Sequence, residues 1–280
     1  MTDYLSYRNN LDDPALASAF DELSFWSSRF GALLVNNIML RRNLKILDLG
    51  CGNGFPSFEL ANLLGASCKI TSMDVWREGL NRARHKQRFY QLPNLTILEA
   101  DGASMPFRDS AFDVIVSNLG VNNFADPASV LAECNRVARA GGTLYLTTNV
   151  KGHFAQFYKV FRDVLGEMNK AVYLDRLDAN EMHRGTKESL TGQLQDAGFN
   201  VNRVIEESFD MRFLDGSALL NHALTKIGFL DGWRAVVDHD DEVAVFQRIE
   251  ERLNEAAERS GELRMTVPML FIEAKKPDAR

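Results

Sequence analysis

Three observations predict an α/β fold built on a mostly parallel sheet. Short β-rich runs alternate with longer segments of helical periodicity between Asn43 and Val150, the first run ends in three alternate glycines, and the second ends in an acid. Alternation of this kind is the signature of βαβ units, whose strands align in parallel because a helix carries the chain back.

The elements follow in order. Residues 12 to 40 place Leu16, Phe20, Leu23, Trp26, Phe30, Leu33 and Leu34 at helical spacing, so a helical lead-in is expected. Five strands come next: Lys45–Leu49, Lys69–Asp74, Leu95–Glu99, Phe112–Asn118 and Thr143–Thr148. Between the last two, a helix is expected to open at Asp126-Pro127, where the carboxylate caps free N–H groups and proline has the φ of a first helical residue. Its end is expected at Gly141-Gly142, as a left-handed C-terminal cap. Beyond the fifth strand, Phe154, Phe157, Tyr158, Phe161, Val164 and Leu165 form one apolar helical stripe. Thr186 to Ala197 reads as a helix stopped by Gly198, and Val201 to Phe209 as a strand. A helical excursion over 215–260 precedes a last strand, Leu263 to Glu273. The expected organisation is a helical lead-in or cap at 1–42, a ligand-binding core at 43–150, and at 151–280 two further strands of the same sheet with helical lid segments.

Composition excludes several classes. With 280 residues, 45% hydrophobic and 25% charged, the chain can bury a sizeable core. Its 32 basic against 38 acidic residues give a net charge of -6, so a nucleic-acid partner is not expected. No apolar run is long enough to span a membrane, and Met1-Thr2-Asp3-Tyr4 lacks the basic-then-apolar layout of a secretory signal, so a cytoplasmic location is expected. Cys51, Cys68 and Cys134 form no metal-ligand spacing and read as reduced, buried thiols, and no metal is expected. The basic run Arg77, Arg82, Arg84, His85, Lys86 and Arg88 reads as a solvated helix face.

The chemistry is concentrated in Ile46-Leu47-Asp48-Leu49-Gly50-Cys51-Gly52-Asn53-Gly54, a strand running into glycines. Glycine there permits positive φ and close approach of backbone to a ligand at the C-terminal edge of a parallel sheet. The dinucleotide fingerprint asks for a further glycine where Phe55 stands, and the phosphate loop asks for a Gly-Lys-Ser/Thr ending that is missing.

At these residues the sequence resembles the class I S-adenosylmethionine-dependent methyltransferases, in particular the branch of ubiquinone and menaquinone C-methyltransferases and many small-molecule enzymes. The resemblance runs from Asn43 to Asn149 and returns in Asp196-Ala197-Gly198-Phe199. It implies a Rossmann-like, seven-stranded, mostly parallel sheet with helices on both faces, and S-adenosyl-L-methionine as cofactor. Asp48, Gly50, Gly52, Asn53 and Gly54 would serve its methionine end. Asp74 would accept hydrogen bonds from both ribose hydroxyls, as an acceptor-only carboxylate can. Asp101 would receive the adenine amino group, with Gly102 and Ala103 beside it, while Val75 and Trp76 flank the ring. Asn118 would close over the methionyl moiety. A strand-ending acid such as Asp74 or Asp101 also serves to cap a turn, and Asp48 to brace the loop.

On the acceptor side the candidates are His153, just after the fifth strand, Asn122, just after the fourth, and Tyr158 in the apolar stripe. Tyr4 and Tyr7 are candidates to close the cleft. The expected reaction is an in-line SN2 methyl transfer to a small organic acceptor, which is the expected partner, with homodimerisation left open. Two alternatives stand: an arsenic methyltransferase, which would need more usable thiols, and a catalytically silent S-adenosylmethionine-binding accessory protein.

Overall fold

In the computed structural model, residues 3–21 and 24–279 are described. Leu23 of the expected lead-in lies outside the described residues, as do Met1 and Thr2. The elements run α1 (Pro14–Ala19), α2 (Ser24–Val35), β1 (Lys45–Leu49), α3 (Ser57–Leu64), β2 (Lys69–Asp74), α4 (Arg77–Tyr90), β3 (Leu95–Glu99), β4 (Phe112–Asn118), α5 (Pro127–Val137) and β5 (Ala138–Asn149). They continue with α6 (Ala155–Glu167), α7 (Leu174–Met182), α8 (Lys187–Asp196), β6 (Asn200–Phe213), α9 (Gly216–Asn221), α10 (Ala223–Gly228), α11 (Leu230–Arg234), α12 (His239–Ser260) and β7 (Leu263–Lys275).

The strands form one seven-stranded sheet in the order β3-β2-β1-β4-β5-β7-β6. The neighbours from β3 through β5 pair in parallel. The chain walks outward from β1 to β3 and then crosses back to β4, so the point where the order reverses lies between β1 and β4. Ligands of open parallel sheets bind there, at the carboxyl ends of the strands. Buried runs explain the strands: Ile46, Leu47 and Leu49 in β1, and Ile115 and Val116 in β4, are at most 3% exposed.

The chain divides into two compact units. One comprises residues 10–148, 186–206 and 269–280, and holds the central strands. The other comprises residues 1–9, 149–185 and 207–268. Its core is aromatic. Phe157 stacks on Trp233 at 3.8 Å, and Phe161 meets Phe246 edge-on at 5.8 Å. Tyr4 is buried in this unit, its hydroxyl donating to Phe246 O at 3.3 Å and to Glu250 Oε2 at 3.1 Å. Arg234 and Glu242, both largely buried, pair at 2.7 Å. Gly216 lets α9 cross α12 closely, since a Cβ there would lie 2.6 Å from Leu253 Cβ.

The expected helical lead-in is present as α1 and α2, and Asp21, after α1, turns its carboxylate toward α4. Three expectations about elements are corrected. The helix opened by Asp126 and Pro127 ends at Val137, and Gly141-Gly142 lies inside β5 rather than capping that helix. In the β4–β5 register Phe112 faces Ala138 and Val114 faces Thr143, so β5 advances five residues against two and bulges. Gly141 has φ +70° in that bulge, and a Cβ on Gly142 would lie 2.8 Å from Arg139 O, which is why glycines stand there. The strand read as Val201 to Phe209 extends over Asn200–Phe213, and the last strand continues to Lys275. The excursion between them is three short helices followed by the long α12.

Candidate functional site

The glycine loop leaves β1 beside the end of β2. Gly50 N–H and Cys51 N–H both donate to Met73 O, at 2.9 and 3.2 Å, so the loop continues the β1–β2 pairing by two residues. Gly50, Gly52 and Gly54 then take φ of +74°, +54° and +109°. A Cβ at Gly52 would meet nothing within 4 Å, so the loop backbone faces open space at that point. At Gly54 it would collide with the Phe58 ring, and at Gly120, across the switch point, it would lie 2.5 Å from Ser117 Oγ. The neighbouring Leu119 has φ +64°, a left-handed conformation that costs a branched residue about 1 kcal/mol and that its own N–H helps hold by bonding Thr147 O at 2.8 Å.

Asp74, the last residue of β2, is half-buried. Its Oδ2 accepts the Gly52 N–H at 2.7 Å and its Oδ1 accepts the Trp76 N–H at 2.8 Å. Each oxygen keeps a lone pair, so the carboxylate is oriented by the loop and still able to accept two hydroxyl donors. Asp74 pairs with Glu99 in the β2–β3 register, which sets Asp101 two residues beyond that level. Asp101 is exposed. Its Oδ1 accepts from Ala103 N at 2.9 Å, closing a turn in which Gly102 sits against Leu49 and Val130. Val75 is 65% exposed, while Trp76 is half-buried, donates from Nε1 to Leu11 O at 2.7 Å and packs edge-on to Phe20.

Beneath the loop lies Asp48, fully buried. Ser57 Oγ donates to its Oδ2, and Ser72 Oγ donates to Ser57 Oγ at 2.5 Å. Its Oδ1 has no hydrogen-bond partner among the described residues. Burial, aided by the charge of Asp74 and opposed by the Ser57 bond, raises the Asp48 pKa to about 7. Asn118, ending β4, accepts from Thr147 Oγ1 at 2.7 Å and donates to Ser27 O at 3.3 Å, which fixes its amide. Asn53 donates to Asp21 Oδ1 at 2.8 Å. The same Asp21 receives Arg82 at 2.6 Å and Lys86 at 2.8 Å, and these two cations hold its carboxyl below the usual range despite the opposing effect of burial.

This ion cluster corrects the reading of the basic run. Arg82 and Lys86 are drawn inward to Asp21, and only part of α4 is a solvated face. Ser57, Ser72, Thr147 and Asp21 were not legible as site residues. Each is a common polar residue far in sequence from its partner, and only the fold brings them together.

Asp48, Gly50, Gly52, Asn53, Gly54, Asp74, Val75, Trp76, Asp101, Gly102, Ala103 and Asn118 all belong to one unit, at or just after the carboxyl ends of β1, β2, β3 and β4, with half-buried Asn122 in the turn after β4. A loop open at Gly52 and an oriented carboxylate at Asp74 fit a ligand that carries hydroxyl donors, as S-adenosylmethionine does. His153 and Tyr158 belong to the other unit. His153 is buried, stacked on Phe154 at 4.0 Å and near Phe229 at 4.8 Å. Burial, with Arg184 nearby, pushes its pKa well below the usual imidazole value, so the ring is neutral. The Tyr158 hydroxyl donates to Asn180 Oδ1 at 2.7 Å and accepts from Trp233 Nε1 at 3.3 Å. The three cysteines are free and buried. Among the described residues no cluster suits a metal ion, and no helix is long and apolar enough to cross a membrane.

Comparison with known proteins agrees with this geometry. A family model described as "Methyltransferase domain" matches residues 40–207. A demethylmenaquinone methyltransferase of Chlorobaculum tepidum is 30% identical over 182 residues, covering 62% of this chain and 72% of its own. One from Listeria welshimeri is 27% identical over 178 residues, covering 60% of this chain and 75% of its own. A solved SAM dependent methyltransferase from Aquifex aeolicus superposes with a TM-score of 0.54 at 20% identity, over 69% of this chain and 92% of its own. The match over residues 40–207 takes in the whole loop-and-acid constellation, and the chain belongs to the methyltransferase-domain family, as a class I S-adenosylmethionine-dependent methyltransferase.

Proposed function

We propose that the enzyme methylates a carbon of an apolar, quinol-type aromatic acceptor, and that the cofactor is held by the residues gathered at the switch point. The observation that carries the site assignment is Asp74, whose two oxygens are oriented by the backbone N–H groups of Gly52 and Trp76 with lone pairs to spare. The acceptor class is supported by the relatives, which carry the name demethylmenaquinone methyltransferase at 26–30% identity.

When bound, S-adenosylmethionine supplies an activated, electrophilic methyl group. The chain's own residues bind, orient and exclude water. Gly50 and Gly52 bring backbone close to the methionine end, Asp74 accepts the ribose hydroxyls, and the free Oδ2 of Asp101 accepts the adenine amino group beside Val75, Trp76, Gly102 and Ala103. Asn118 borders the methyl, its amide fixed by Thr147 and Ser27. Asn53 ties the loop to the Asp21 cluster. Alignment at about 3–3.5 Å contributes several kcal/mol to such a transfer.

A quinol must lose a proton as its ring carbon attacks. His153 belongs to the other unit, and burial, which holds its imidazole neutral, leaves it poorly suited to keep that proton. Asn122 is the candidate to orient the acceptor oxygen. The Tyr158 hydroxyl is engaged by Asn180 and Trp233 within the other unit. An arsenic substrate is disfavoured, since burial raises the Cys51 thiol well above its usual value and the Cys134 thiol to about 12.

The test is to incubate the enzyme with S-adenosylmethionine and a reduced demethylmenaquinone analogue, following S-adenosylhomocysteine and the mass of the product. A product heavier by one carbon-bound methyl supports the reading. No methyl transfer, with cofactor binding intact, refutes the acceptor class, and turnover on arsenite alone would favour the arsenic alternative. A protein that binds cofactor but turns over no acceptor in a broad screen would be the silent accessory.

A further inference from the structure

Residues 10–21 of the lead-in lie in the same unit as the glycine loop and are fastened to its surroundings at both ends. At the first end, Asn10 to Asp13 form a turn in which Asp13 N donates to Asn10 O at 3.1 Å and Asp12 N donates to Asn10 Oδ1 at 3.2 Å. Leu11 stands at the tip of this turn. Its carbonyl accepts the indole N–H of Trp76 at 2.7 Å, while the residue remains 59% exposed. At the second end, Asp21 follows α1. The Arg82 guanidinium donates to Asp21 Oδ2 through Nε at 2.8 Å and Nη2 at 2.6 Å, and Lys86 and Asn53 both donate to Oδ1 at 2.8 Å. Between these ends Phe20 packs edge-on to Trp76 at 4.9 Å, and α1 buries Leu16 and Ala17.

The points of attachment coincide with the cofactor cradle. Asp74 joins the glycine loop to the start of α4 through the backbone N–H groups of Gly52 and Trp76, and the lead-in joins the same two places through the side chains of Asn53 and Trp76. Turn tips are ordinarily polar, yet this one presents a leucine, and Val75, the neighbour of Trp76, is 65% exposed. Two uncovered apolar side chains adjoining one anchored indole are the lining that the face of an aromatic ring covers. We propose that residues 10–21 form a clasp over the adenine end of the cofactor, with Leu11 covering the ring and Asp21 as the positioning residue that keeps the clasp in register with the glycine loop. The clasp rests on the cofactor assignment made above and is independent of which acceptor is methylated.

The experiment titrates the full chain with S-adenosylhomocysteine and with methylthioadenosine, which keeps the adenine and ribose but lacks the amino-acid end, and follows amide hydrogen exchange over residues 10–21 with and without each ligand. Both ligands should slow exchange in α1 of the wild type. Leu11→Ser, at a residue exposed enough to leave folding intact, should weaken both ligands alike by about fivefold, through faster dissociation at unchanged stoichiometry. Asp21→Asn should weaken binding and erase the slowing of exchange, and Asp21→Glu, which keeps the charge, should restore most of both. Unchanged affinity in Leu11→Ser, or exchange in α1 that does not respond to ligand, overturns the clasp. A loss confined to S-adenosylhomocysteine also overturns it, because Leu11 would then act through the loop rather than on the ring. Failure of the wild type to bind either ligand would overturn the cofactor assignment, and the clasp with it.

Discussion

Asp48 makes stability depend on pH in a direction opposite to that of an ordinary paired carboxylate. Burial and the neighbouring Asp74 raise its pKa from 3.8 to about 7, even against the Ser57 hydrogen bond. The unfolded chain therefore releases this proton near its ordinary value, while the folded chain keeps it until about pH 7. Between those limits the folded state binds more protons, so the contribution is fully present below the unfolded pKa and is lost as pH rises through the folded one. A gap of about three units corresponds to about 4 kcal/mol over the whole range. From about pH 5.5 to about pH 8.5 the change is about 2 kcal/mol, because part of it has already occurred below that window. Asp48→Asn keeps an acceptor for Ser57 and cannot ionise. Urea titrations of the cofactor-free wild type and variant at the two pH values should show the wild type losing about 2 kcal/mol relative to the variant at the higher pH. Parallel pH dependence of the two proteins would refute the account of Asp48 as a buried acid with an unfilled oxygen.

Three other outcomes are expected. Asp74→Ala should weaken S-adenosylmethionine binding by about 100-fold in calorimetric titration, two charge-assisted hydrogen bonds being lost, while the protein stays folded; it should also lower the pKa of Asp48 and so shrink the pH effect described above. Asp21→Ala leaves Asn53, Arg82 and Lys86 without their common acceptor, and should lower the urea midpoint and weaken cofactor binding several-fold, whereas a surface-only role would leave both unchanged. Trp233→Ala removes a side chain 1% exposed and stacked on Phe157 and Phe229, and should cost about 3–5 kcal/mol in urea unfolding.

The central strands were legible because strands buried on both faces read as short apolar runs, and β1 to β4 fall within the spans expected for them. The edge was harder. β6 is last in the sheet order and carries Asn200, Asn202, Arg203, Glu206 and Glu207, so its polar text ends no earlier in space than Phe213 although its apolar pattern fades at Phe209. Gly141-Gly142 misled because glycine serves a helix cap and a strand bulge equally well. The register with β4, which decides between them, is a pairing the local sequence does not carry. In the site, the loop glycines and strand-ending acids were visible because they are contiguous with strands that read clearly. Asp21, Ser57, Ser72 and Thr147 were invisible because their importance arises from partners brought together by folding, such as Asn53 and Arg82 around Asp21.

The sheet order carries a consequence for how the chain is made. β7 lies between β5 and β6, yet it leaves the ribosome after both. During synthesis β5 therefore presents an open edge, and β6 waits through the four helices α9 to α12 before the strand that joins it to the sheet exists. A nascent or prematurely terminated chain lacking Leu263–Lys275 would keep β3-β2-β1-β4-β5 but leave β6 with no neighbour, exposing two unpaired strand edges at once. The segment Leu263–Lys275 acts as the closing stitch of the sheet, the piece on which completion of the fold depends.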